Sequence, residues 1–188
     1  IRNCLVGSEM CIRDRTTTMK KIIILLIVST LFSCETKTVE VDKVAGQWLI
    51  EGNRFGLGYS AGDQSDADFV KKFMDAYVNK DPQSMIEMSA DTVKFHPADV
   101  GGVFDVDTSN TDFIVERQKN WDSLSRDYVF IMPMKLEGSK ARVVATVFNE
   151  KRYVNDGTVE SINFYERLYI NADDKIFRIV QYSRPPNE

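Results

Sequence analysis

Phe164–Arg184, FYERLYINADDKIFRIVQYSR, consists of two strand-like runs about one turn. Within Val159–Ile170 every second residue from Ile162 is apolar (Phe164, Leu168, Ile170), and Glu166 is the exception on that face. Such alternation marks a strand with one buried face. Asn171-Ala172-Asp173-Asp174 supplies turn-forming side chains, and Ile176–Ser183 returns as a second strand before Pro185-Pro186. Upstream, Asn155-Asp156-Gly157 is the strongest hairpin signal in the chain. It joins Ala141–Val154 to Val159–Ile170, and Glu137-Gly138-Ser139-Lys140 joins Tyr128–Leu136 to Ala141. The C-terminal part therefore predicts a meander of about four long antiparallel strands.

Ahead of the meander the apolar period changes. Phe69, Val70, Phe73, Met74, Tyr77 and Val78 recur at three-to-four spacing after Ser65-Asp66-Ala67-Asp68, which reads as an N-cap and acidic first turn. This predicts a helix over 65–79. Asp81-Pro82 reads as the N-cap and first residue of a short second helix burying Met85, Ile86 and Met88. Thr92–His96 alternates as a strand and is halted by Pro97. Ala98–Asn110 reads as a loop, leading to a third helix expected near 111–124 with Ile114, Trp121 and Leu124 facing the core.

Two of these segments resemble one family. Asn79–Phe95, NKDPQSMIEMSADTVKF, resembles the opening of nuclear transport factor 2-like (SnoaL-like) domains, and Phe164–Arg184 resembles their closing hairpin. That hairpin usually ends d-G-K-I, and Asp174 stands where the glycine usually sits. The resemblance covers about Asp66–Arg184. It implies an α+β fold, a cystatin-like cone of three N-terminal helices against a curved, mainly antiparallel sheet. It implies no single activity, because that fold hosts isomerases, dehydratases, cyclases and non-catalytic binding modules. Gly46-Gln47-Trp48 is similar to the Gly-x-Trp opening of lipocalins, but the eighty residues after it are largely helical in pattern, and a lipocalin barrel needs eight strands.

The N-terminal residues carry a different kind of signal. Lys20-Lys21 followed by the apolar run Ile22–Phe32 has the charge and length of a signal peptide and is shorter than a membrane-spanning helix. Leu31-Phe32-Ser33-Cys34 resembles a bacterial lipobox, which implies cleavage before Cys34 and a diacylglyceryl group on its thiol. Back-translated, Leu5–Arg15 (LVGSEMCIRDR) resembles a transposase-type sequencing adapter read in frame, so Met19 is the expected start. The expected organisation is upstream artefact over 1–18, signal peptide over 19–33, a lipidated tether and Gly/aromatic segment over 34–64, and the folded domain over 65–185. The protein is then expected at the bacterial cell envelope, bound to a membrane by lipid on Cys34. Glu35 rather than Asp after the cysteine favours the outer membrane if the source is Gram-negative.

Removing 1–33 takes five basic residues (Arg2, Arg13, Arg15, Lys20, Lys21) and two acidic ones (Glu9, Asp14). Of 24 Lys+Arg and 28 Asp+Glu, 19 and 26 remain, a charge of −7. So acidic a surface argues against nucleic acid. Cys34 is the only cysteine left and His96 the only histidine, which excludes a disulfide and any multi-His or Cys/His metal site. No cofactor is expected.

Three residues could carry acid–base chemistry. His96 ends a strand, Asp99 lies three residues on, and a His–Asp pair can move a proton at neutral pH. Glu166, on an apolar strand face, would be desolvated and hence a base, unless it is paired with Arg142 or Arg178. Phe73, Tyr77, Trp121 and Phe130 read first as core, and the first three are also the aromatic candidates for a ligand wall. The opposite strand face (Ser161, Asn163, Tyr165, Arg167, Tyr169), with Tyr153 and Tyr182, suits a homodimer contact. The reading favoured is a membrane-anchored, non-catalytic module binding a small apolar molecule or a protein. The alternative is a cofactor-free enzyme of the SnoaL or ketosteroid-isomerase type using His96, Asp99 or Glu166.

Overall fold

Alternating strands and their turns build most of the molecule. The computed structural model describes residues 44–185, so the adapter-like stretch, the signal peptide, Cys34 and the tether up to residue 43 lie outside the described residues. The elements in chain order are β1 (Gly46–Gln47), β2 (Gly58–Ala61), α1 (Gln64–Val78), α2 (Pro82–Glu87), β3 (Ser89–His96), β4 (Phe104–Asp107), α3 (Asp112–Gln118), β5 (Trp121–Leu136), β6 (Arg142–Val154), β7 (Val159–Ile170) and β8 (Ile176–Arg184). The strands form one sheet in the order β1-β2-β5-β6-β7-β8-β3-β4, antiparallel throughout except where β3 runs parallel to β8. The two outermost strands do not pair with each other, so the sheet is open and not a barrel.

The turns do what their residues dictate. At Asn155-Asp156-Gly157 the glycine takes φ +88 and closes the β6–β7 hairpin through Val154 N–H to Thr158 C=O, 2.9 Å. Asp174 occupies the left-handed region at φ 58, where the resembled family usually has glycine; Asp tolerates it better than most side chains. Asp81 caps α2 by accepting from Ser84 N–H at 3.1 Å, with Pro82 at the first helical position.

One face of α1 buries Val70, Phe73 and Met74 against Phe148, Phe164 and Leu168 on the inner face of β6 and β7, and Met85 of α2 joins them. Each such buried side chain contributes roughly 1.5–3 kcal/mol. The helix starts at Gln64, with Asp63 and not Ser65 as the N-cap residue. Asp66, in the first turn, is buried and lies 3.5 Å from Arg142.

Several expectations are corrected. The Gly/aromatic segment is not outside the domain: β1 and β2 extend the sheet beyond β5, Tyr59 pairing with Leu136. The Ala98–Asn110 loop contains β4, because Val106 and Phe104 pair with Val93 and Phe95. The third helix ends at Gln118, and Trp121 and Leu124 belong to β5. Their three-residue spacing imitates a helix, but a bulge between Trp121 and Ser123 brings both inward from a strand. A second bulge, between Tyr128 and Phe130, puts Phe130 outside the core with 41 % of its surface exposed. Among the described residues no helix is long and apolar enough to cross a membrane.

Candidate functional site

The inner face of a strand inherits whatever the alternation places there, charged or not. On β5, β6 and β7 it places Arg126, Glu150, Arg152 and Glu166 among apolar residues. Under α1 and α3 these charges line a cavity of about 100 Å³, whose other walls include Phe73, Met74, Met85, Phe95 and Ile114. Gln181 of β8 completes its polar side.

Arg126 and Glu150 are direct cross-strand partners, and Arg126 Nε donates to Glu150 Oε2 at 2.7 Å. Arg152 Nε donates to the other oxygen, Oε1, at 2.6 Å. Glu150 is 1 % exposed, so burial would be costly for it alone, and two guanidinium groups offset that cost. Each guanidinium also lies over rings: Arg126 over Phe148 at 4.6 Å and Tyr77 at 5.1 Å, Arg152 over Trp121 at 4.7 Å and Phe164 at 5.5 Å. Burial alone would lower the Arg126 pKa, but Glu150 and Glu166 outweigh it and raise the value.

Glu166 stands differently. It is 3 % exposed, accepts a hydrogen bond from Gln181 Nε2, its partner across β7 and β8, and makes no salt bridge among the described residues. Burial pushes its carboxyl above the ordinary range, against the opposing pull of Arg126 and Gln181. Its other cross-strand partner, Thr146, carries a buried hydroxyl that finds no hydrogen-bond partner among the described residues. Neither Arg142 nor Arg178 reaches it: Arg142 bridges Asp66 and Asp174, and Arg178 lies over the Tyr169 ring.

Of the three acid–base candidates, the cavity includes only Glu166. Val93 and Phe95 line it, so alternation turns His96 to the opposite face. There burial, then Arg178 and Lys94, lower the His96 pKa. Asp99 is exposed; it sits 3.7 Å from Arg117, which lines the cavity, but does not line it itself. Phe73 and Tyr77 are wall residues, whereas Trp121 packs behind the wall, edge-on to Tyr77 at 6.4 Å. Sequence reasoning missed Arg126, Glu150 and Arg152. The signal was there: each is a charge where an apolar alternation continues, as in Val144, Thr146, Phe148, Glu150, Arg152. Among the described residues no three His, Cys, Asp or Glu side chains cluster as a metal site would require.

In sequence, no known family model and no curated protein matches the chain. Solved structures match its fold. The epoxide hydrolase/cyclase-like enzyme SalBIII, of pyran ring formation in the polyether salinomycin, superposes with a TM-score of 0.51 at 11% identity, over 64% of this chain and 92% of its own. An NTF2-like protein of unknown function from Exiguobacterium sp. 255-15 gives 0.50 at 15%, over 62% and 98%. AusH from Aspergillus nidulans gives 0.52 at 11%, over 68% and 89%. At these identities the likeness is one of fold alone: a nuclear transport factor 2-like α+β domain.

Proposed function

From a domain with the nuclear transport factor 2-like fold, we propose a small-molecule binding function, with one largely apolar molecule held in the cavity beneath α1. The observation that carries this is the cavity itself, with apolar walls and a few convergent polar groups at one side. Three helices closing one face of the sheet as a cone would give such a cavity its depth. The test is protein-observed NMR with a panel of small apolar molecules. Expected are shifts confined to cavity residues, lost when Ile114→Trp fills the space. A panel that leaves those residues unmoved ends the reading.

A second reading rests on Glu166. A buried carboxyl with a raised pKa and no arginine salt bridge is suited to proton transfer, as in a cofactor-free isomerase or lyase. Glu166→Gln separates the two readings. Binding retained with any turnover unaffected supports the binding module; binding retained with turnover down by about 10²–10⁴ supports the enzyme.

The location proposed is a bacterial membrane, through lipid on Cys34. The support is the lipobox-like Leu31-Phe32-Ser33-Cys34 after the cationic and apolar run. Cys34→Ser is expected to release the protein from the membrane fraction and abolish lipid labelling. Unchanged retention and labelling refute it, and resequencing the locus across residues 1–18 checks the expected start at Met19.

A further inference from the structure

Counting donors in the cavity leads beyond a generic apolar ligand. A guanidinium has five N–H donors. In both Arg126 and Arg152 the hydrogen bond to Glu150 uses Nε, and the two bonds occupy both carboxylate oxygens. Among the described residues no hydrogen-bond acceptor takes the Nη groups of either arginine. These are not surface side chains: 7 % of Arg126 and 13 % of Arg152 is exposed, and both line the cavity. Aromatic rings cover their flat faces, which leaves the Nη edges as the polar surface offered to a guest. The Nη atoms are not among the sealed, unpartnered polar atoms, so they open onto the cavity, where an acceptor on a guest can reach them.

Charge points to the kind of acceptor. The ionised side chains lining the cavity are Arg117, Arg126, Arg152, Glu150 and Glu166, three cations against two anions. Glu150 is fully engaged by its two arginines. A guanidinium edge held in place through its Nε bond to Glu150 matches a carboxylate in shape and charge. The rest of the wall, including Phe73, Met74 and Met85, matches a short apolar body.

We propose that the cavity is specific for a small apolar monocarboxylate, its carboxylate seated on the free Nη groups of Arg126 and Arg152. This rests on the small-molecule reading above. Glu166 is the negative charge nearest to being unpaired in the site, so it sets the affinity. Facing it are Arg126, Arg152, Glu150 and Gln181, and an incoming carboxylate favours its protonated form. The guest therefore binds together with a proton, and more weakly as pH rises.

The experiment is isothermal titration of the full chain with benzoate, benzamide and benzylamine, with wild type and Glu166→Gln. Glutamine keeps the shape of the protonated carboxyl, so this variant leaves the fold intact. Benzoate is expected to bind about tenfold or more tightly than the other two. Glu166→Gln is expected to tighten benzoate by about tenfold relative to benzamide near neutral pH, and to flatten the pH dependence of benzoate binding. Benzamide or benzylamine binding as well as benzoate, or no gain in Glu166→Gln, overturns the carboxylate specificity while the cavity reading stands. Binding of none of the three overturns both.

Discussion

Gln181 and Glu166 face each other across β8 and β7, and the Gln181 amide donates to the Glu166 carboxyl inside the apolar wall. One neutral donor does not replace the water that this carboxyl gives up, so its pKa rises. The sign for stability follows. A carboxyl with a raised folded-state pKa binds protons more readily folded than unfolded, so stability falls as pH climbs from its ordinary value of 4.5 through the folded value. Glu166→Gln is expected to raise the melting temperature at neutral pH, with the gain vanishing below pH 4.5. A gain that persists unchanged in acid would place the effect in packing and not in charge.

Glu150 is the opposite case, an anion held between two buried cations. Glu150→Gln leaves Arg126 and Arg152 facing each other without their counter-ion, and is expected to cost about 3–5 kcal/mol by chemical denaturation. A loss under about 1 kcal/mol would mean that water reaches this cluster and screens it.

Asp174 holds a left-handed backbone and accepts from Arg142 Nη2. Asp174→Val is expected to destabilise by about 1–2 kcal/mol, because a β-branched residue resists that conformation. Asp174→Gly relieves the backbone and loses an exposed ion pair worth little, so it should remain within about 1 kcal/mol of wild type. Equal losses in the two variants would shift the cause to the Arg142 contact.

His96 and Asp99 lie outside the cavity lining. His96→Ala is expected to leave ligand affinity and any turnover within about twofold, against the roughly 10²–10⁴ loss of an acid–base residue. Asp99→Ala frees Arg117 at the wall and is expected to strengthen binding of an anionic guest slightly. Loss of activity in His96→Ala would restore that residue to the chemistry.

The outer sheet face is proposed as a homodimer contact. Tyr182 and Tyr165 pack together on it, half exposed, with Phe130 and Met132 on the same face of β5 beyond β6. Sedimentation is expected to give a dimer that Tyr182→Glu dissociates, since the change buries a charge in the contact. A wild-type monomer at micromolar concentration rules the contact out.

Local sequence determined a good deal here. Alternation alone assigned Phe164, Glu166, Leu168 and Ile170 to one buried face, and Asn155-Asp156-Gly157 and Asp81-Pro82 specified their turn and cap, because these choices depend on neighbours within a few residues. Short pairings were not legible. β1, β2 and β4 exist because a partner strand meets them, and the bulges that turn Trp121 inward and Phe130 outward are matters of register between β5 and β6. The site belongs to that second category. Arg126, Glu150 and Arg152 can be read in sequence as charges on buried faces, yet the Arg126–Glu150 pair requires residues 24 apart to sit opposite each other. Glu166 was identified by its strand, but whether it met an arginine or Gln181 was decided only when β7 and β8 came together, because electrostatic partnership depends on distance in space and not along the chain.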